Sequence, residues 1–277
     1  MKVIRVFNNN IVATKTEDNK EAIVQGSGIG FGKKPGDLLN EAKIEKRFYI
    51  MDEHASKFHA LFDQVPIEYF QIAELIMEKA QNELNVILDD QIVMALTDHI
   101  YFAVERQLKN VSLTNFLNSE ISYLYRKEYQ IGLWVLDQVE KIVNVKLNKD
   151  EAGFIALHIV NASMKKDKQD ISDTLVFIKG IMDIIRNSFG IELDMNDLDT
   201  TRLMTHLKFL ANRVIYHENE SIDALGDMYS LLINQKKQLE PCLKAIDEYV
   251  LVTFNYQLSQ QEKVYLMIHL LRILNEK

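Results

Sequence analysis

The sequence predicts a multi-domain α+β protein: a small antiparallel β-sheet head followed by two homologous all-α helical-bundle domains. Three observations predict it. Residues 1–50 hold five of the ten glycines together with short β-branched runs. From about residue 52 onward, apolar residues recur at three-to-four spacing, and the whole chain has only 3 prolines to interrupt helices. The helical part also repeats itself, at offsets of 107 and 111 residues.

The elements follow in order. Val3, Ile4, Val6 and Phe7 fit a first strand, and Ile11, Val12 and Ala13 lead a second. Ala22, Ile23 and Val24 fit a third, while Ile44, Phe48 and Ile50 mark a fourth. Asn8, Asn9 and Asn10 signal a tight turn, because Asn tolerates positive φ. A second turn is expected at 17–19. Fifty residues bury only a small core, so pairing with another chain is expected of this head. Helical periodicity then runs through 67–84, 92–108, 113–125, 131–145, 151–164, 175–189, 201–217, 222–232, 241–254 and 262–274. The expected domain limits are 1–56, 57–168 and 169–277, with the break between the helical copies in the charged loop 165–172.

Composition narrows the function. At roughly 100–200 residues per domain, a chain of 277 residues has room for two or three domains. Hydrophobic residues make up 47% and charged residues 26%, enough apolar material for more than one core. Cys242 is the one cysteine, which excludes an internal disulfide framework and a multi-cysteine zinc site. The N-terminus carries no apolar run of signal-peptide length, and no window approaches a membrane span, so a cytoplasmic protein without membrane insertion is expected. The net charge is −8, yet residues 1–50 hold nine Lys/Arg against six Asp/Glu. A basic head on an acidic body is an asymmetry that can mark a nucleic-acid-binding module.

The repeats carry histidine. His99 to Arg106 and His206 to Arg213 both read H-x-x-F-x-x-x-R. Glu151 to His158 and Glu262 to His269 both read E-x-x-aromatic-aliphatic-x-x-H. Four of the 7 histidines therefore sit in paired slots, and a repeated packing role rarely demands imidazole. His54, His59 and His217 have no repeat partner and read as surface or capping residues. Metal binding lacks an H-E-x-x-H or cysteine pattern. Acid–base catalysis would need one converging pocket, whereas a repeat suggests two. Reversible phosphorylation fits a side chain that titrates near neutrality and whose unprotonated nitrogen attacks a phosphoryl donor. Arg106 and Arg213 lie two helical turns beyond His99 and His206, on the same side, as phosphate partners or as surface ion pairs. Asp98 adjoins His99, where the second copy has Thr205.

In the head, the runs Asn8-Asn9-Asn10, Gly26-x-Gly28-x-Gly30-Phe31-x-Lys33-Lys34 and Ile44-Glu45-Lys46 stand in series. In the body stand Leu96-Thr97-Asp98-His99 and Asp150-Glu151-x-Gly153-Phe154-Ile155-Ala156-Leu157-His158. Thr205-His206-Leu207-Lys208-Phe209 and Tyr265-Leu266-x-Ile268-His269 follow. In this order, over essentially the whole chain, they resemble the BglG/LicT/SacY family of transcriptional antiterminators. The resemblance implies a co-antiterminator RNA-binding domain that acts as a homodimer on a leader mRNA hairpin overlapping a terminator. It implies two domains regulated by the sugar phosphotransferase system, with HPr and a sugar-specific enzyme II as partners. His99 and His158 would be the first domain's phosphorylation sites, and His206 and His269 the second's. No cofactor and no enzymatic activity are expected.

Asn10, Gly26, Gly28 and Phe31 match the family's RNA-binding head, and Arg5 stands where members often have Lys. Phe31 either stacks on RNA or packs in the small core. Ser27 departs from a position commonly Arg or Lys, and Gly32 from one commonly Gln. Lys33 and Lys34 either compensate that lost cation or form a solvated turn. The alternatives from other classes are an enzyme using the histidines and a phosphotransferase-regulated DNA-binding activator. The latter needs a helix-turn-helix in the head.

Overall fold

The computed structural model describes residues 1–16, 21–49, 64–163, 168–195, 197–217 and 226–275. The expected turn at 17–19, Ile50, the end of the expected head domain at 51–56, and His54 and His59 lie outside the described residues.

Four strands form one antiparallel sheet in the order β1-β2-β3-β4. They are β1 (Lys2–Asn8), β2 (Ile11–Lys15), β3 (Glu21–Gln25) and β4 (Lys46–Tyr49). Side chains alternate across a strand, and here both faces are filled. Val3, Val12 and Val24 face one way and are covered by Ile29 and Leu39 of the intervening loop. Ile11, Ala13 and Ile23 face the other way and join the core of the helices that follow. Thr14, fully buried between them, donates its hydroxyl to the Lys2 carbonyl at 2.7 Å. Among the described residues of the head, the one helical element is a short 3-10 turn, Glu41–Lys43. Among the described residues, the head holds no helix-turn-helix of the kind a DNA-binding activator would need.

Among the described residues, ten helices follow: α1 (Ile67–Leu84), α2 (Gln91–Leu108), α3 (Asn118–Leu124), α4 (Arg126–Val143), α5 (Asp150–Ser163), α6 (Lys168–Phe189), α7 (Leu198–Tyr216), α8 (Gly226–Gln235), α9 (Leu239–Phe254) and α10 (Gln260–Asn275). The periodicity predicts each, with shifted ends. The expected helix over 113–125 shrinks to α3, because Val111, Leu113 and Phe116 are exposed and offer no buried stripe. Conversely α6 starts earlier, since Ile171 and Thr174 continue its buried face.

The contacts divide the chain into two compact units. One comprises Met1–Asn115 and Lys127–Ser163, the other Phe116–Arg126 and Met164–Lys277. In the first, α2 packs on α5, and Gly132 of α4 lets α5 approach so closely that a Cβ would strike the Ala152 carbonyl. In the second, α7 packs on α10 in the equivalent way, and α3 packs on α6. The Tyr123 hydroxyl of α3 donates to the Thr201 carbonyl at 3.1 Å. So α3 precedes α4 in sequence but belongs with the helices of the second unit.

The repeat extends to the helix ends. A left-handed residue closes many helices, and Asn or Gly tolerates it best. Asn110 and His217 hold φ of 56° and 51° at matching ends, and Asn144 and Asn255 hold 55° and 51°. His217 is thus the left-handed C-cap of α7.

Candidate functional sites: an aromatic loop and two histidine pairs

The loop after β3 is built on the asparagine turn. The Asn10 carbonyl accepts from Gly26 N–H at 3.0 Å, and the Asn9 carbonyl from Gly30 N–H at 2.9 Å. The Asn10 side-chain oxygen accepts from Gly28 N–H at 2.9 Å. Gly28 and Gly32 hold φ of +64° and +68°, a region that costs a side chain strain. This scaffold carries Phe31 outward, 73% exposed. Core packing is therefore not its role. Ser27 is exposed and anchors only its backbone, donating N–H to Glu45 at 3.0 Å. Arg5 is exposed, with its guanidinium 5.4 Å from the centre of the Phe7 ring. Lys33 is tied back, its ammonium 2.9 Å from the Leu38 carbonyl, while Lys34 stays exposed.

Packing of α2 on α5 brings His99 and His158 together, with ring centres 5.1 Å apart. Phe154 flanks His99 at 5.8 Å. Below them lies Glu151, almost fully buried. Its two oxygens divide the work. Oε2 sits 2.9 Å from His99 Nε2, and Oε1 accepts from Arg106 at 2.9 Å. Burial opposes ionisation of this carboxyl, but the His99 and Arg106 hydrogen bonds and charges hold it below the usual range. Asp98 is exposed and, among the described residues, makes no hydrogen bond or ion pair.

Packing of α7 on α10 gives the second pair. His206 and His269 stack with centres 5.0 Å apart and planes 25° from parallel, and Tyr265 takes the place of Phe154 at 5.9 Å. Here the carboxylate is engaged elsewhere. Glu262 accepts from the Ser259 N–H at 2.9 Å, the Ser259 hydroxyl at 3.0 Å and the Tyr256 hydroxyl at 3.2 Å. Ser259 and Glu262 form a capping box at the start of α10. Arg213 stays beside Glu262, its Nε 3.4 Å away. Among the described residues, His206 has no carboxylate partner. Burial, the neighbouring His269 and the Arg213 charge push its pKa down to about 4. His269 is lowered too, chiefly by burial and then by the Arg272 charge.

A base held neutral by its site destabilises the fold when protons are offered. His206 titrates at about 4 when folded, against 6.5 ordinarily. Its contribution is intact above pH 6.5 and is lost as pH falls toward 4. Replacing His206 by Gln is expected to flatten that acid limb of unfolding free energy against pH; an unchanged limb would assign the loss to other groups.

The structure thus brings His99, His158 and Arg106 into one cluster, and His206, His269 and Arg213 into another. It leaves Asp98 apart. The sequence reading missed Glu151, Glu262, Tyr256 and Ser259 as parts of these clusters. The two glutamates open the second repeated motif, which was the available signal. Among the described residues, no group of three or more His, Cys, Asp or Glu is placed to hold a metal, and no helix is long and apolar enough to cross a membrane.

Comparison with known proteins agrees in every segment. Residues 1–57 match the CAT RNA binding domain, and residues 74–162 and 179–273 match the PRD domain. The chain is 36% identical to the transcription antiterminator LicT of Bacillus subtilis (strain 168), over 100% of both proteins. It is 33% identical to a beta-glucoside operon antiterminator of Dickeya chrysanthemi, over 100% of this chain and 98% of that one. The crystal structure of GlcT CAT-PRDI is similar at 34% identity and a TM-score of 0.50, covering 59% of this chain and 98% of that one. With the sheet head and both histidine-bearing helical repeats matched end to end, the chain belongs to the BglG/LicT family of transcriptional antiterminators.

Proposed function

We propose that the protein is a transcriptional antiterminator that binds, as a homodimer, a hairpin in the leader mRNA of a sugar-utilisation operon. Binding keeps the overlapping terminator from forming. The observation that carries this reading is Phe31. Both faces of the sheet are already filled, so nothing in the fold requires a phenylalanine held 73% exposed on a glycine scaffold. Single-stranded bases at loops and bulges stack on such rings. Arg5 and Lys34, both exposed, and the backbone of Gly26, Ser27 and Gly28 would supply further contacts to the RNA, with Lys33 steadying the loop. Domain limits of 1–56, 57–168 and 169–277 suit this division of labour.

The helical domains report the state of the phosphotransferase system. HPr and a sugar-specific enzyme II donate phosphoryl groups to His99, His158, His206 and His269. Each phosphate adds about −1.5 to −2 charge beside a resident arginine and carboxylate. That local charge event repacks the domain and decides whether two heads present one RNA surface. The protein acts in the cytoplasm and catalyses no reaction of its own.

The test is titration of the full chain with a leader hairpin and with duplex DNA of matched length. Tight, hairpin-selective binding with two protomers per RNA is expected. Replacing Phe31 by Ala is expected to weaken hairpin binding about tenfold to a hundredfold, the worth of one base–aromatic stack, without lowering the melting temperature. Equal binding of hairpin and duplex would overturn the reading.

A further inference from the structure

A second copy could join the head through either face of its sheet or through either edge. Among the described residues, three of these four surfaces are obstructed. At the start of β1 the outer edge is already paired. Val3 N–H donates to the Asp37 carbonyl at 2.9 Å, the Val3 carbonyl accepts from Gly36 N–H at 2.8 Å, and the Met1 carbonyl accepts from Leu39 N–H at 3.1 Å. The other edge strand, β4, has four residues and carries Lys46 and Arg47, and short charged edges resist strand addition. The face of Val3, Val12 and Val24 is covered by Ile29 and Leu39. Ile29 stands two residues before Phe31, between the glycines that Asn9 and Asn10 hold. Uncovering that face would dismantle the scaffold of Phe31.

The fourth surface is the face of Ile11, Ala13 and Ile23, with Ile4 and Phe7 packed beside them. It is wholly apolar, and its three central residues are at most 1% exposed. They share their core with residues of α1 and α2 of the same chain. A charged pair joins the two parts: the Lys46 ammonium of β4 lies 3.3 Å from Glu74 Oε1 of α1, and that oxygen is buried. An apolar face that loses one cover needs another. A copy of itself, related by a two-fold axis, supplies one, because the same patch then serves both partners.

We propose that α1 and α2 are an autoinhibitory cover: they occupy the face through which two heads pair, and the RNA-binding dimer forms by exchanging that cover for a second head. The inference rests on the antiterminator reading and adds to it the surface that pairs and the element that blocks it. The Phe31 loop is complete while the cover is in place, so the cover controls pairing and leaves the loop intact. A hairpin that binds two paired heads draws the chain toward the open form. Its apparent affinity is lowered by the fraction of chains that are open. Lys46 and Glu74 clasp the closed form.

A carbodiimide reads the clasp, because it couples a lysine amine to a carboxylate with no spacer between them. Isotopically light and heavy full chains are mixed, treated with and without a leader hairpin lacking a 5′ phosphate, and mapped by mass spectrometry. In the free protein, Lys46 is expected to be coupled to Glu74 of its own chain, and saturating hairpin is expected to abolish the product. No product in the free protein, a product between chains, or a product that persists with two protomers on each hairpin would overturn the cover. Reversing the clasp is the second arm. Glu74→Lys is expected to tighten hairpin binding about fivefold, the upper end for one ion pair near the surface. Glu78→Lys makes the same charge change at an exposed position of α1 and is expected to do less. Equal effects of the two would assign the gain to charge alone and overturn the cover while leaving the antiterminator reading intact. A hairpin bound by neither wild type nor Glu74→Lys would overturn the antiterminator reading and the cover with it.

Discussion

Replacing Glu151 by alanine is expected to lower the stability of the first unit by about 3 kcal/mol, the cost of removing one partner from a buried ion pair. The side chain is 6% exposed and bridges His99 and Arg106, both partly buried. Removing it strands a guanidinium that water reaches only in part, since Arg106 is 28% exposed. That remaining access is why the lower end of the range applies. At about 2–4 °C per kcal/mol for a unit of this size, the first melting transition falls by about 6–12 °C. The sign with pH follows from the depressed carboxyl. Its folded pKa lies below the ordinary 4.5, so its contribution is whole above 4.5 and is lost as pH falls through the folded value. The gap between wild type and variant should close in that acid window. Calorimetry from neutral to acid pH checks both; an unchanged transition at neutral pH would mean that water replaces the carboxylate at no cost.

Replacing Gly26 by alanine is expected to cost the head about 3 kcal/mol, the upper end for overpacking a tight site. A Cβ here would overlap the Lys43 carbonyl oxygen, which is backbone and has no rotamer to yield. The chain at this point is locked from both sides. Gly26 N–H donates to Asn10, and Glu45 N–H returns to the Gln25 carbonyl at 2.9 Å. Moving the Glu41–Lys43 turn aside would break the second bond, and moving residue 26 the first. Hairpin affinity of the full chain is expected to fall by at least about tenfold, which corresponds to about 1.4 kcal/mol, together with a lower melting temperature. Phe31→Ala lowers affinity alone. A Gly26→Ala protein with unchanged melting and RNA binding would show that the loop takes another path.

Both variants belong in the full chain. Ile11, Ala13 and Ile23 on the second face of the sheet share a core with residues of α1 and α2, including Phe70 and Leu96. A head cut free at residue 56 would expose that face.

The sequence by itself determined the fold class, the four-strand head and nearly every helix, because those are written in periods of 2 and 3.6 within windows of ten to twenty residues. It also determined the repeat, and through it the four histidines. It named Gly26 and Gly28 without revealing their reasons, which are a carbonyl at the Cβ position and a positive φ. The tertiary structure alone decided that histidines 59 residues apart meet at 5.1 Å, since only the packing of α2 on α5 sets that distance. It alone decided that Phe31 faces solvent, because a small sheet whose two faces are already filled has no room for it. It assigned α3 to the second unit against chain order, and it separated two glutamates that the repeat makes equivalent. Their fates diverge because each carboxylate takes the strongest donors within reach, and reach is a property of folded space that no periodicity along the chain records.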